Sequence, residues 1–482
     1  MATVQVPPGQ PPVPGNRVPG DRVPENAAPG GTATAGRDRS PSSGRLLSPG
    51  TLRGRLARML SPSTTPGRLR LLVLGLIVAS LAWGGVAAWV VGQHASAAAD
   101  VVSTSEPLSL TAQQMYQKLA DADVTATTAF LGGPAEPLRD RQRYQADIAT
   151  AAADLSQLKA ASGGDSQLGA SLAAVSAALP LYTGYVSQAQ TSNSLGYPLT
   201  GGSFIQVASE EMHLTLLPAA DSVYADENAR LAADSAQASG LPWIAVLIVG
   251  AIVVGFAFYR GQRWLFRRTR RVVNTGLVAA SVALVVGTVW LAVAYGIARG
   301  DMARATGHGS APAETLAQAG IAVQQARGYQ VLNLISRSGA SSFTEDFQAA
   351  SKQVGPGSGS LLDRAAGSSA GDPGASRIAA AVGDIKAWYQ VNNQVQSLDK
   401  AANYAAETAL VTGTGAGQSG SGFDRVETDL GQAISASQVI FHSSATAGDD
   451  AYSGLQIGII VVALLMAGAT AWGLTRRLAE YR

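Results

Sequence analysis

Residue types able to do chemistry are thinly spread along this chain. It has no cysteine, which excludes thiol catalysis, disulfide scaffolds, a lipoprotein anchor and cysteine-based zinc sites together. Its four histidines, His94, His213, His308 and His442, lie far apart. No His-Glu-x-x-His or comparable metal spacing occurs, so structural roles are expected for them. Gly413-Thr-Gly415-Ala-Gly417 superficially looks like a phosphate-cradling loop, but it has no Walker lysine and no buried strand before it, and reads as a flexible linker. The acidic pairs Glu210-Glu211 and Asp449-Asp450 could in principle act in acid–base catalysis or hold a cation. Adjacent helical residues do not face one another, which favours a solvated face. The expectation is a protein without catalytic, cofactor or metal residues, that is, not an enzyme.

One cluster stands out. Arg260, Arg263, Arg267, Arg268, Arg270 and Arg271 fall within 12 residues. Such a cluster can fix membrane topology. It can also bind anionic lipid head groups, at about 1 kcal/mol per basic residue near the surface, or meet an acidic cytoplasmic partner. The spacing does not separate the last two uses, and no nucleic-acid partner is implied.

The elements that position this cluster are apolar blocks. The 482 residues are 46% hydrophobic, and four stretches of roughly 20 residues can each cross a bilayer core of about 30 Å. They are TM1, residues 69–92, TM2, 241–259, TM3, 272–297, and TM4, 455–474, with uncharged interiors. The absence of intramembrane charge weighs against a pump or secondary transporter.

Charge then gives sidedness. Residues 93–240 carry 15 acids and 6 bases, residues 298–454 carry 14 acids and 10 bases, and the rest of the chain carries 4 acids and 19 bases. Basic residues are retained on the cytoplasmic side. The cluster between TM2 and TM3 (residues 260–271), the arginines before TM1 and those of the tail 475–482 all fall on one side. This predicts a multi-pass cell-membrane protein with both termini cytoplasmic. A cleaved signal peptide is the alternative for TM1, because Ala95 to Ala99 resembles a small-residue cleavage site. The leader and the apolar run are both too long for it.

Residues 1–66 are rich in Pro, Gly, Ser and Arg without aliphatic clusters, the composition of a disordered tail. The remainder is a tandem in which each half is a span, a soluble segment and a second span. In the segment 93–240 four stripes repeat at helical spacing: Met115 to Ala129, Tyr144 to Leu158, Leu168 to Ala189 and Ile205 to Val223. Glycine-rich breaks separate them, and Pro218 should kink the fourth. The segment 298–454 repeats this less cleanly, with Ile378 to Val395 on one stripe and Val426 to Ile440 on another. The fold class is therefore all-α, with four transmembrane helices and two extracytoplasmic domains resembling four-helix bundles. Gly240, Pro242 and Ser453-Gly454 are expected to soften the coupling between bundle and span. Small residues at four-residue spacing (Ser80, Gly84, Ala88; Ala279, Ala283, Gly287; Gly454, Gly458) suit close packing, within the chain or in a homodimer.

Architecture and local runs together resemble the actinobacterial GlnX family. The runs are Phe130-Leu131-Gly132-Gly133 followed by Glu136, Arg139, Tyr144 and Asp147; Gly201 to Phe204; Leu216-Leu217-Pro218-Ala219-Ala220; and Phe343 to Phe347 with Trp388-Tyr389 and Asn392. The resemblance covers roughly residues 69 to 475. It implies a non-enzymatic signal transducer relaying amino-acid occupancy of an external binding lipoprotein, GlnH, to a cytoplasmic Ser/Thr kinase, PknG. An envelope scaffold and a chemoreceptor-like sensor that binds its ligand directly are the alternatives.

Overall fold

The computed structural model describes residues 65–133, 138–163, 166–240, 242–269, 274–336, 341–355 and 357–479. The expected disordered tail, up to residue 64, lies outside them. No strand occurs among the described residues, and the protein is an all-α membrane protein.

In the first half, α1 (Thr65–Asp100) leads through a π-helical turn (Val101–Ser105) directly into α2 (Glu106–Leu131). There follow α3 (Leu138–Ala161), α4 (Ser166–Ser194), α5 (Pro198–Glu211), a second π turn (Met212–Leu216), α6 (Leu217–Ser239) and α7 (Pro242–Thr269). The second half repeats the opening: α8 (Thr275–Arg304), a π turn (Ala305–Ser310) and α9 (Ala311–Ser336). Then come α10 (Ser341–Val354), α11 (Leu361–Ser368), α12 (Ala375–Lys400), α13 (Tyr404–Thr412) and α14 (Ser419–Ala479). The wider π turns sit at matching places in the two halves. A π turn inserts a residue into the helical register, so it rotates the face a helix shows to its bundle relative to the face it shows in the spanning region. The kink expected at Pro218 takes the same form. The π turn ending at Leu216 absorbs the hydrogen bond that a proline cannot donate.

The stripes read from sequence form the cores. Met115, Leu119, Leu158, Leu172, Tyr182, Ile205, Met212 and Leu216 are completely or almost completely buried in the first bundle. Ile378, Ala381, Ile385, Trp388, Val426 and Ala433 are so in the second. Trp388 also spends its indole N–H on Ser419 Oγ at 2.8 Å.

Among the described residues, four helical stretches are long and apolar enough to cross a membrane: Arg70–Leu131, Ala245–Arg267, Thr275–Ser336 and Ser419–Gly473. Val78, Trp89, Ile252, Val253, Val285, Val286, Ile457 and Leu464 point outward and are more than half exposed, or nearly so. Such a continuous apolar exterior needs lipid as its solvent. The four pack in a ring, α1 against α7 and α14, and α8 against the same two. The small residues serve that ring. Gly84 lies against Ala463, Gly287 against Val462, and Gly458 against the ring of Trp290. Gly454 has no neighbour at its Cβ position, and Ala279 faces outward.

Three of the four junctions between bundle and span are continuous helix. Ser453-Gly454 lies inside α14, which is unbroken over 61 residues, so this pair does not loosen the connection as expected. A glycine costs a helix only about 1 kcal/mol, and packing on both sides of it carries the helix through. The fourth junction does break, at Gly240, whose ψ of 132° leaves the helical region.

The π turn of the second half depends on a close approach. A Cβ on Gly309 would stand 2.6 Å from Phe441 Cα and 2.7 Å from its backbone nitrogen. Gly309→Ala is therefore expected to cost about 1–3 kcal/mol by overpacking, read as a lower unfolding temperature of the detergent-solubilised protein. An unchanged unfolding temperature would show that this contact is not tight.

Candidate functional site

The two bundles meet along α2 and α9, the helices that continue from α1 and α8. Because α2 has neighbours on all sides, its polar face is buried as well as its apolar one. Glu106, Asp121 and Asp123 are 5%, 5% and 2% exposed. Each of these acids is met by partners from another helix.

Glu106 accepts from His442 Nδ1 on α14 at 3.1 Å. Burial raises the pKa of Glu106, and His442 opposes that shift. Asp121 accepts from Gln324 Nε2 of α9 at 2.6 Å, and Lys118 Nζ lies 3.4 Å from its other oxygen. Burial, reinforced by the carboxylate of Glu427 on α14, pushes the Asp121 pKa up to about 7. Lys118 and Arg143 pull the other way. Arg143 of α3 bridges to Glu427 at 3.0 Å and approaches Asp147 and Asp424 at 3.9 Å. Asp147 in turn takes a 3.0 Å bond from Lys118. Further along, Asp123 accepts from Ser209 Oγ at 2.8 Å and lies 3.3 Å from His213 Nε2. The His213 ring stacks on Tyr329 of α9, with centroids 5.5 Å apart. The seam is thus crossed by Asp121–Gln324, Glu106–His442 and Arg143–Glu427, while Asp123 is held within the first bundle by Ser209 and His213, whose ring packs on Tyr329 of the second. Ion pairs at this depth contribute little net stability, but are costly to break one-sidedly, which makes the seam a place where charge decides how the bundles sit.

A second constellation stands where bundle meets span. The last carbonyls of α6 are capped by three rings from three other helices. His94 Nδ1 bonds Gln237 O at 2.9 Å, Tyr452 Oη donates to Ala238 O at 2.7 Å, and Tyr295 Oη donates to Gly240 O. His94 and Tyr452 stack at 6.1 Å, and Tyr295 packs edge-on against both. The carbonyls orphaned by the break at Gly240 are satisfied in this way, and the end of the first bundle is tied to α1, α8 and α14.

His308 Nδ1 lies 3.0 Å from Asp372 Oδ2, and among the described residues no group of His, Asp or Glu is arranged to hold a metal ion. The arginine cluster is placed differently from the loop the sequence suggested. Helix α7 runs on to Thr269, so Arg260, Arg263, Arg267 and Arg268 lie on it. Arginine is a good helix former and a cation suits the last turns of a helix. Arg260, Arg263 and Arg267 are exposed. Arg260 sits 5.8 Å from the Phe256 ring centroid and Arg263 donates to Tyr259 Oη at 3.3 Å. Arg270 and Arg271 lie outside the described residues. Glu210 and Asp450 are exposed. The seam itself escaped the sequence reading. Asp121, Asp123, Gln324 and Arg327 stand among other polar residues of their helices, such as Gln117, Lys118, Gln325 and Gln330, so nothing in the sequence marks them out.

Residues 97–236 match the family model of an actinobacterial sensor domain. The match runs from just before the first π turn almost to the Gly240 break, so it covers the first bundle. Neither curated proteins nor solved structures give a match to the chain.

The raised pKa of Asp121 carries a sign. An acid that binds its proton more tightly when folded stabilises the folded state at low pH. That contribution is lost as pH rises from about 4, the unfolded value, to about 7. Asp121→Asn is expected to flatten this loss. At pH 7 it should raise the unfolding temperature, and at pH 4 it should leave it nearly unchanged, in a thermal melt of the full chain at both values. A second test uses charge reversal. Arg143→Glu should weaken the seam by about 1 kcal/mol, and adding Glu427→Arg should restore most of it. Two losses that simply add would show that the pair is not coupled.

Proposed function

We propose that this chain is a non-enzymatic transmembrane signal transducer whose two bundles stand outside the cell. They register the state of an external amino acid or related solute presented by a binding lipoprotein. The signal reaches a cytoplasmic Ser/Thr kinase at the basic end of α7 and the tails. The observation that carries this reading is the continuity of α1–α2, α8–α9 and α14 from the bundle seam to the far end of the spans. A change in how α2 and α9 sit against each other has to move the spanning helices, because three of the four junctions have no joint to absorb it. A partner can do this only by preferring one of two arrangements, and a seam built of paired charges offers two arrangements at modest cost. The sensor-domain match over the first bundle supports the sensing half of the reading. The exposed arginines on α7 support contact with an acidic surface.

Purification of the full chain from its native membranes in mild detergent is expected to bring along a solute-binding lipoprotein and a Ser/Thr kinase. Replacing Arg260, Arg263 and Arg267 together by Ala should release the kinase and retain the lipoprotein. Recovery with envelope structural proteins alone would overturn the relay in favour of a scaffold.

A further inference from the structure

Arg327 is the most deeply buried cation of the seam, at 2% exposure. Its guanidinium is held by neutral groups: Gln330 Oε1 at 2.6 Å, Ser419 Oγ at 3.1 Å and Val411 O at 2.8 Å. It lies 5.7 Å from the Phe423 ring centroid. Its Nε has no acceptor, and among the described residues no carboxylate forms an ion pair with it. Burial pushes its pKa down to about 10, so it remains charged at neutral pH. The charge of Asp424 only partly offsets the burial of this guanidinium, and an anion bound within hydrogen-bond reach would offset it further.

Arg327 lines a cavity of about 90 Å³ between the bundles, together with Thr125, Thr128, Arg139, Thr414 and Asp424. Thr128 Oγ1 is buried and also without a partner. Asp424 is near enough to Arg327 to raise its pKa against the effect of burial. The glycine run read as a linker forms one wall: Gln418 accepts from Gly415 N at 2.6 Å and Ser421 Oγ donates to Gly415 O at 2.7 Å, which holds the loop in place. We propose that this cavity is a binding site for a small solute carrying both a carboxylate and an ammonium group. The carboxylate lies on Arg327 and Thr128, and the ammonium on Asp424. The planar guanidinium fork matches a carboxylate. Asp140 and Asp424 face Arg139, Arg143 and Arg327 across the cavity, a mixed lining that suits a zwitterion better than a phosphate dianion. The volume is that of about three water molecules, enough for the glycine-sized core of such a solute. Bundle 1 supplies Thr125, Thr128 and Arg139, and bundle 2 supplies Arg327, Thr414 and Asp424, so occupancy favours one arrangement of the seam. That consequence rests on the transducer reading, whereas the chemistry of the site does not.

The test is a thermal melt and a calorimetric titration of the full chain in detergent. The probes are glycine, alanine, glutamate, acetate, ethylamine and inorganic phosphate. An amino acid should raise the unfolding temperature more than acetate does, with no effect of ethylamine or phosphate. Arg327→Lys and the near-isosteric Thr128→Val should each weaken binding at least about tenfold, or about 1.4 kcal/mol, and Asp424→Asn should abolish the advantage of glycine over acetate. The proposal is overturned if no amino acid shifts the melt, if phosphate shifts it as much, or if the shift survives in Arg327→Lys and Thr128→Val. Because the chain has no cysteine, a disulfide trap between cysteines placed on α2 and α9 reports the seam independently. Binding that leaves its trapping rate unchanged upholds the site and sinks the relay.

Discussion

The structure depends on α2 and α9 lying side by side, each the continuation of a spanning helix. Two bundles that met only through apolar faces would fuse into one core with a single packing. Here apolar contacts such as Val124 and Ala317 are interleaved with acids and their partners, among them Asp121 with Gln324, Glu106 with His442 and Arg143 with Glu427. Buried charge demands its partner in place, so the seam is specific, while its net stability stays small and open to change.

From that constraint the rest follows in order. The spanning helices cannot end at the membrane surface if their continuations are to reach the seam, so they run on through π turns that reset which face is inward. Helix α14 closes the arrangement, touching α1 and α8 in the spanning region and the seam above it. The broken junction at Gly240 is stitched by His94, Tyr295 and Tyr452, which join three separate helices to the end of the first bundle.

The cavity beside Arg327 belongs to the same logic. A buried guanidinium bonded to neutral dipoles resists closing the seam completely at that height, and keeps a polar opening between two bodies that are otherwise tightly paired. The loop of glycines beside it has little secondary structure of its own, yet its side-chain bonds to Gln418 and Ser421 make it a wall.

The sequence by itself determined the class of the molecule and most of its cores. Apolar blocks of bilayer length are legible without any tertiary information, because lipid imposes length and composition on each span separately. The stripes through Met115, Leu172 and Ile378 are legible for the same reason: a 3.6-residue period marks the buried face of one helix at a time. The tertiary structure alone decided the seam, the aromatic ties and the cavity. Asp121 and Gln324 are 203 residues apart, and His442 and Glu106 are 336 apart. A polar residue on a helix carries no mark of whether water or a distant carboxylate will satisfy it. The continuity of α14 through Ser453-Gly454 was decided in the same way, since packing over 61 residues outweighs the weak preference of two.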